Sequence, residues 1–314
     1  MPFFCLQLNR FLNNIKNSKE KKHMKKRKFD IITDSGCDMP ESYLKEHDVA
    51  CVKLGFTMNN VNYAGDCGEK ISEQEFYQKL REGAMPTTYQ VTSEMAKGYI
   101  SESLQKGRDV LVIAFSSGLS GTAGSFVVAA RELKEEYPDR KIVVVDSLCA
   151  SMGQGLLVDY AIKKADGGAS IEETAEYLEE LKPHICHHFT VDNLFHLKRG
   201  GRVSGATAIV GSILKIKPIM HVDDNGKLVA IDKIIGRKKS LHALVDRVFK
   251  LADMQENDPI FISHGDCIDD VNYVIGLLRE RFPKTAIMVN YVGAVIGTHS
   301  GCGTLAIFHK GKER

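Results

Sequence analysis

Short apolar runs alternate with longer stretches of helical period along the first half of the chain. Residues 29–33, 48–56, 110–115 and 142–145 are apolar enough on both alternating faces to read as buried strands. Between and after them, residues 72–82 (Phe76 and Leu80 one turn apart), 93–105 behind a Thr92 or Ser93 cap, 123–136, 149–164 and 171–181 carry helical periodicity. Residues 85–90 read as a loop led by Pro86. Strands alternating with helices predict a parallel sheet covered on both faces, an α/β domain over residues 29–185. Past Pro183 the rhythm changes. Residues 189–197 are mixed, and Lys198-Arg199-Gly200-Gly201-Arg202 is a basic glycine turn. A helix is expected at 207–214, and strands at 218–222 and 228–235 flank the hairpin signal Asn225-Gly226. A helix (239–251), a strand (259–263), a helix (268–281) and strands at 286–291 and 305–308 complete the chain. Hairpins mixed with crossovers predict a second, α+β domain over residues 186–314.

Composition sharpens this picture little. The 314 residues are 43% hydrophobic and 26% charged, ordinary for a globular protein of about two domains. No apolar run reaches the ~18 residues of a membrane span, and the opening Met1-Pro2-Phe3-Phe4 lacks the positive start of a signal peptide. A cytoplasmic protein without stable membrane insertion is expected. The eight cysteines include no Cys-x-x-Cys pair, which favours reduced thiols over disulfides or a zinc site. The net charge of +2 conceals a tail: residues 1–23 carry +4, leaving −2 for the rest. A basic tail on a mildly acidic body does not indicate a nucleic-acid partner. Lys19-Glu20 can be encoded by AAG-GAG, a ribosome-binding sequence, so residues 1–28 are expected to be a leader with Met24 as the working start. An amphipathic tail helix (Phe4, Leu8, Phe11, Leu12, Ile15) has too thin a polar face to be preferred.

The chemistry concentrates in Ser116-Ser117-Gly118-Leu119-Ser120-Gly121-Thr122, between a predicted strand and a predicted helix. Such a turn offers free N–H groups and the positive end of a helix dipole, a seat for an anion; it can equally be a capped turn and nothing more. The glycine spacing fits neither G-x-G-x-x-G nor a Walker motif, and Gly118-Leu119-Ser120-Gly121 is one residue short of a hydrolase elbow. Thr33-Asp34-Ser35 and Asp146-Ser147 also end strands and are expected to converge on the same crevice. Ser263-His264-Gly265-Asp266 cannot form a relay, because strand neighbours point to opposite faces. His184-Ile185-Cys186-His187-His188 lacks a second ligand pair at useful spacing, so no metal is expected. Residues 297–303, a small-residue loop, carry one histidine, His299.

Taken in order, Thr33-Asp34-Ser35, Pro86-Thr87-Thr88-x-Gln90, Ser117-Gly118-Leu119-Ser120-Gly121-Thr122, Asp146-Ser147, Leu197-Lys198-Arg199-Gly200-Gly201-Arg202-Val203-Ser204, Ile216-Lys217-Pro218-Ile219 and Ile296-Gly297-Thr298-His299-x-Gly301 resemble the DegV family of bacterial fatty acid-binding proteins, over about residues 29–308. The resemblance implies a two-domain α/β protein that buries one long-chain fatty acid and presents its carboxyl group to a fatty acid kinase subunit, for acyl-phosphate formation and phospholipid synthesis. It implies Thr88 and Ser120 as hydroxyl donors to the carboxylate and His299 beside it, directly or through water. Arg202, Ser117 and Gly121 would serve head-group or partner contact. No cofactor and no catalysis are implied. Tyr89, Val91 and Cys302 depart from the family pattern, the first two next to Thr88. The competing enzyme reading is a serine acyl hydrolase using Ser120 with His299 as base, which lacks an elbow and an orienting carboxylate.

Overall fold

The computed structural model describes residues 27–65, 70–192, 194–203 and 216–314. The expected leader up to residue 26, the helix expected at 207–214 and Ser204 lie outside them.

In chain order the elements are β1 (Phe29–Asp34), α1 (Glu41–Glu46), β2 (Val49–Val52), β3 (Gly55–Met58), β4 (Val61–Ala64), α2 (Glu73–Arg81), β5 (Thr87–Tyr89), α3 (Ser93–Gln105), β6 (Asp109–Ala114), α4 (Thr122–Glu136), β7 (Ile142–Asp146), α5 (Met152–Asp166) and α6 (Ile171–Leu181). They continue with β8 (Ile185–Thr190), α7 (Phe195–Arg199), β9 (Ile216–Val222), β10 (Leu228–Ile235), α8 (Arg237–Leu251), β11 (Ile260–His264), α9 (Ile268–Arg281), β12 (Ile287–Tyr291), α10 (Ala294–Ser300) and β13 (Leu305–Lys310).

The first half forms a parallel four-stranded sheet in the order β2-β1-β6-β7. Its strands read as near-continuous apolar runs because helices cover both faces: α5 packs with one set (Ile31, Leu111, Ile113), α3 and α4 with the other (Ile32, Val110, Val112). Local signals set the helix starts. Thr92 accepts the Met95 amide at 3.2 Å, and Ser72–Glu75 and Ser170–Glu173 form reciprocal capping boxes.

From Ile185 onward a mixed six-stranded sheet forms, ordered β10-β9-β8-β13-β11-β12. Only β11 and β12 run parallel; β9 and β10 form the hairpin that Asn225-Gly226 predicts. The fold is therefore α/β with a parallel sheet first and a mixed sheet second, as expected.

Four expectations need correction. Residues 48–56 break into β2 and β3, which join different sheets. Residues 85–90 contain β5, which pairs with β3 in a third, three-stranded sheet with β4. Residues 185–190, read as a histidine cluster followed by mixed sequence, form β8 in the interior of the second sheet. Residues 294–300 are helix α10, so residues 297–300 of the expected small-residue loop, His299 among them, are helical. The three-stranded sheet packs across to α10: Phe56, Met58 and Phe76 share a buried cluster with Ala294. Strands β3–β5 and helix α2 thus form a flap leaning on the second half of the chain, and this places Thr88 against His299.

Candidate functional site

The flap, the loop before α4, the glycine turn after α7 and helix α10 surround one cavity. Its interior leaves about 190 Å³ for the centre of a water-sized sphere, where a single water needs roughly 10–15 Å³. The wall is mainly apolar, with Leu54, Phe115, Leu119, Phe189, Leu197 and Phe308 among its residues. Thr88, Ser120, Gly121, Arg202 and His299 line the cavity together, and Ser151, His187, Ser263, Ser300 and Thr304 add further polar groups to its wall.

Thr88 stands in the middle of β5, opposite Phe56 of β3, and its Oγ1 lies 2.9 Å from His299 Nε2. His299 sits near the end of α10, half-buried. Its Nδ1 is buried and has no hydrogen-bond partner. Burial, then the positive charges of Arg202 and Arg199, pushes its pKa down to about 4. Without an anion the ring is neutral in a neighbourhood of cations. Gly200 makes room for it: a Cβ there would come within 2.1 Å of His299 Nδ1.

Ser120 and Gly121 close the turn leading into α4. Ser120 Oγ lies 3.0 Å from Thr122 Oγ1 and accepts the Thr122 amide at 3.3 Å. Gly121 is the N-cap of α4 and supplies no side-chain cap, so the positive end of a 15-residue helix faces the polar region of the cavity. Arg202, half-buried, donates from Nε to Leu119 O at 3.2 Å and from Nη1 to Gly200 O. It ties the glycine turn to the Ser116–Thr122 loop while keeping a guanidinium at the cavity wall.

Ser117 stands apart from this group. It is exposed and does not line the cavity, and its amide donates to Asp146 Oδ1 at 3.1 Å. The strand-end carboxylates expected to converge on the crevice brace the loops instead. Asp34 accepts the Phe115 amide at 2.7 Å and the Gly36 amide at 2.9 Å. Asp146 accepts the Ser117 and Leu148 amides, each at 3.1 Å.

Arg199 escaped the sequence reading as a site residue. Its Nη2 donates to Pro86 O at 3.0 Å and to Thr298 O at 3.3 Å, joining the approach to Thr88 with the residue before His299. The signal was present in the basic glycine turn, but its direction depended on how α7 meets α10. Ser263 lines the cavity beside Ser151, at 2.9 Å, while His264 stacks on Tyr291 and accepts the Cys267 amide. The two do not form a relay, as strand geometry requires. A hydrolase triad does not assemble around Ser120 either. The charged groups that act on His299 are cations, and no carboxylate partners its Nδ1 among the described residues.

The sequence profile of the DegV family, described as uncharacterised proteins, matches residues 28–311. A DegV domain-containing protein of Clostridium perfringens is 44% identical over 288 residues, 92% of this chain and 99% of the relative. A DegV family protein of Thermus thermophilus, described as binding fatty acid, superposes with a TM-score of 0.82 at 31% identity, covering 90% of this chain and 99% of the other. DegV of Bacillus subtilis, described as a fatty acid-binding protein, superposes at 0.77 with 30% identity, covering 91% and 100%. The chain belongs to the DegV family.

Proposed function

We propose that this protein binds a long-chain fatty acid in the cavity and presents the carboxyl group to a fatty acid kinase subunit in the cytoplasm. The acyl phosphate formed there would enter phospholipid synthesis. The observation that carries the reading is a mainly apolar cavity in which Thr88, His299, Ser120 and the start of α4, whose N-cap Gly121 offers no side chain, line one polar end. About 14 methylenes at ~0.8 kcal/mol each contribute roughly 11 kcal/mol, within the range that offsets an association cost of order 4–15 kcal/mol. A carboxylate without donors would forfeit that gain. Thr88, Ser120, the helix-terminal N–H groups and Arg202 answer its charge with charge-assisted hydrogen bonds. No nucleophile–base pair is required, so the protein acts as a carrier whose partner performs the phosphoryl transfer. The fatty acid binding described for the related Thermus and Bacillus proteins supports the ligand class.

The test has two parts. Denaturing the purified protein and analysing the extract by mass spectrometry should release fatty acid close to one per chain; an empty extract from protein that also fails to bind added fatty acid overturns the reading. Thr88→Ala combined with Ser120→Ala should weaken fatty acid binding far more than binding of the matching fatty alcohol. Equal losses for both would remove the carboxylate role of these hydroxyls.

A further inference from the structure

The opposite face of the second sheet carries a polar cluster that the acyl cavity does not use. Along β8 the side chains alternate, so His187 faces the cavity while Cys186 and His188 face the layer under α8. On β13, His309 is the cross-strand partner of Cys186, and Ile307 that of His188. Ile307 packs with Leu244 and Val248 of α8, which fixes the side on which the cluster lies. Cys186, His188 and His309 are each fully buried, and their donor atoms all lie within 4.8 Å of one another.

We infer that Cys186, His188 and His309 form a binding site for one thiophilic closed-shell metal ion, Zn(II) or Cu(I). Two ligands at i and i+2 on one strand and a third on the neighbouring strand place three donors on one face of a rigid sheet. His188 Nε2 and His309 Nε2 stand 3.0 Å apart. Two imidazole nitrogens each bound at 2.0–2.1 Å in a tetrahedral site stand about 3.3 Å apart, so the pair needs only a small opening. His309 is already oriented: its Nδ1 donates to Lys310 O at 2.8 Å, which leaves the Nε2 lone pair aimed at His188. His188 Nδ1 is buried without a partner, an unsatisfied atom in a cluster that is otherwise paired. Cys186 Sγ lies 3.0 Å from Glu313 O, and binding would exchange its S–H for a sulfur–metal bond, releasing one proton to solvent. Thiolate with two imidazoles is a donor set for soft or borderline ions, not for Mg(II) or Ca(II). Arg247 of α8 acts on both Cys186 and His188. With one thiolate among the three donors, a monovalent ion leaves the site neutral whereas a divalent one leaves it positive.

The test uses untagged full-length protein, since a histidine tag would bind the same ions. One sample comes from zinc-supplemented cells, and a second is refolded anaerobically with Cu(I). Both are desalted and assayed by plasma mass spectrometry, beside Cys186→Ser and His309→Gln. The expected result is about one ion per chain in the wild type with one of the two metals, which names the ion, and a loss of at least tenfold in both variants. Wild-type protein without either metal, or variants that retain it, overturns the inference. Should a variant fail to fold, X-ray absorption at the edge of the metal the wild type holds decides: one sulfur with imidazole nitrogens supports the site, and a shell without sulfur or without imidazole sinks it. Fatty acid binding by the same samples is measured separately, because neither result depends on the other.

Discussion

At the scale of single residues, the site is organised around a neutral histidine among cations. Burial and the two arginines Arg202 and Arg199 hold His299 down to about 4, so an arriving carboxylate is the charge that its surroundings lack. Gly200 is what allows the ring to stand there. Gly200→Ala would place a Cβ against Nδ1 and turn the ring away from Thr88. The obstructed atom belongs to a side chain, so the fold should survive with a small change in Tm. Fatty acid affinity should fall by about 1.5–3 kcal/mol, the worth of one charge-assisted hydrogen bond, which is tenfold or more. Titration calorimetry against one saturated acid checks this; unaltered affinity would mean that His299 does not serve the head group. The loops holding Ser120 and His299 were visible in the sequence as hydroxyl and imidazole groups among glycines, whereas Thr88, in a proline-led loop without glycine, was implied only by the resemblance to the DegV family. Arg199 did not stand out, since a basic residue in a turn reads as solvated until its carbonyl partners are known.

At the scale of elements, the sequence revealed strands and helices whose period matched their burial, and hid those shaped by distant partners. The parallel strands were legible because both faces are apolar. Strand β5 was not: three residues beginning one place after a proline carry no period, and only pairing with β3 makes them a strand. Strand β8 was obscured by Cys186, His187 and His188, polar residues with 2% exposure or less in the interior of a sheet. The useful spacing absent around His184–His188 lay 121 residues away in His309. Helix α10 contains Gly297 and ends in His299-Ser300, a composition that reads as a loop until its packing against the flap is seen. The Ser116–Thr122 loop is positioned in the same non-local way, by the hairpin turn between β9 and β10. Ser116 donates to Gly226 O at 2.8 Å, and a Cβ on Gly118 would meet Asn225 O at 2.5 Å. The three nearest atoms, Asn225 O, Gly226 O and Gly226 C, are all backbone, so Gly118→Val should force the turn and the loop apart. We expect a destabilisation of roughly 1–3 kcal/mol, as for other overpacked sites, with weakened acid binding. Chemical denaturation checks the first effect; a wild-type midpoint would show that the two loops are not wedged together.

At the scale of the whole molecule, the buried histidines tie stability to pH. His264 and His299 are both pushed down to about 4, in each case chiefly by burial. The unfolded chain protonates such histidines near 6.5, whereas the folded chain keeps them neutral to about 4. Between those values the unfolded state binds more protons, so stability is complete above about pH 6.5 and declines as pH falls toward 4. Delipidated protein should therefore lose Tm steadily from pH 7 to pH 5. Bound fatty acid changes this at His299 alone among the buried histidines. A carboxylate beside His299 favours the imidazolium, raises the bound-state pKa and removes that share of the acid sensitivity. The loaded protein should show a shallower fall in Tm over the same interval, and His299→Asn should make loaded and delipidated slopes alike. His264, on the far side of β11 from the cavity, should keep its contribution in both states. Melting curves of the delipidated, loaded and His299→Asn proteins at pH 7, 6 and 5 separate these effects. Parallel slopes for loaded and delipidated wild type would place the carboxylate away from His299 and leave Ser120 and the start of α4 to hold it.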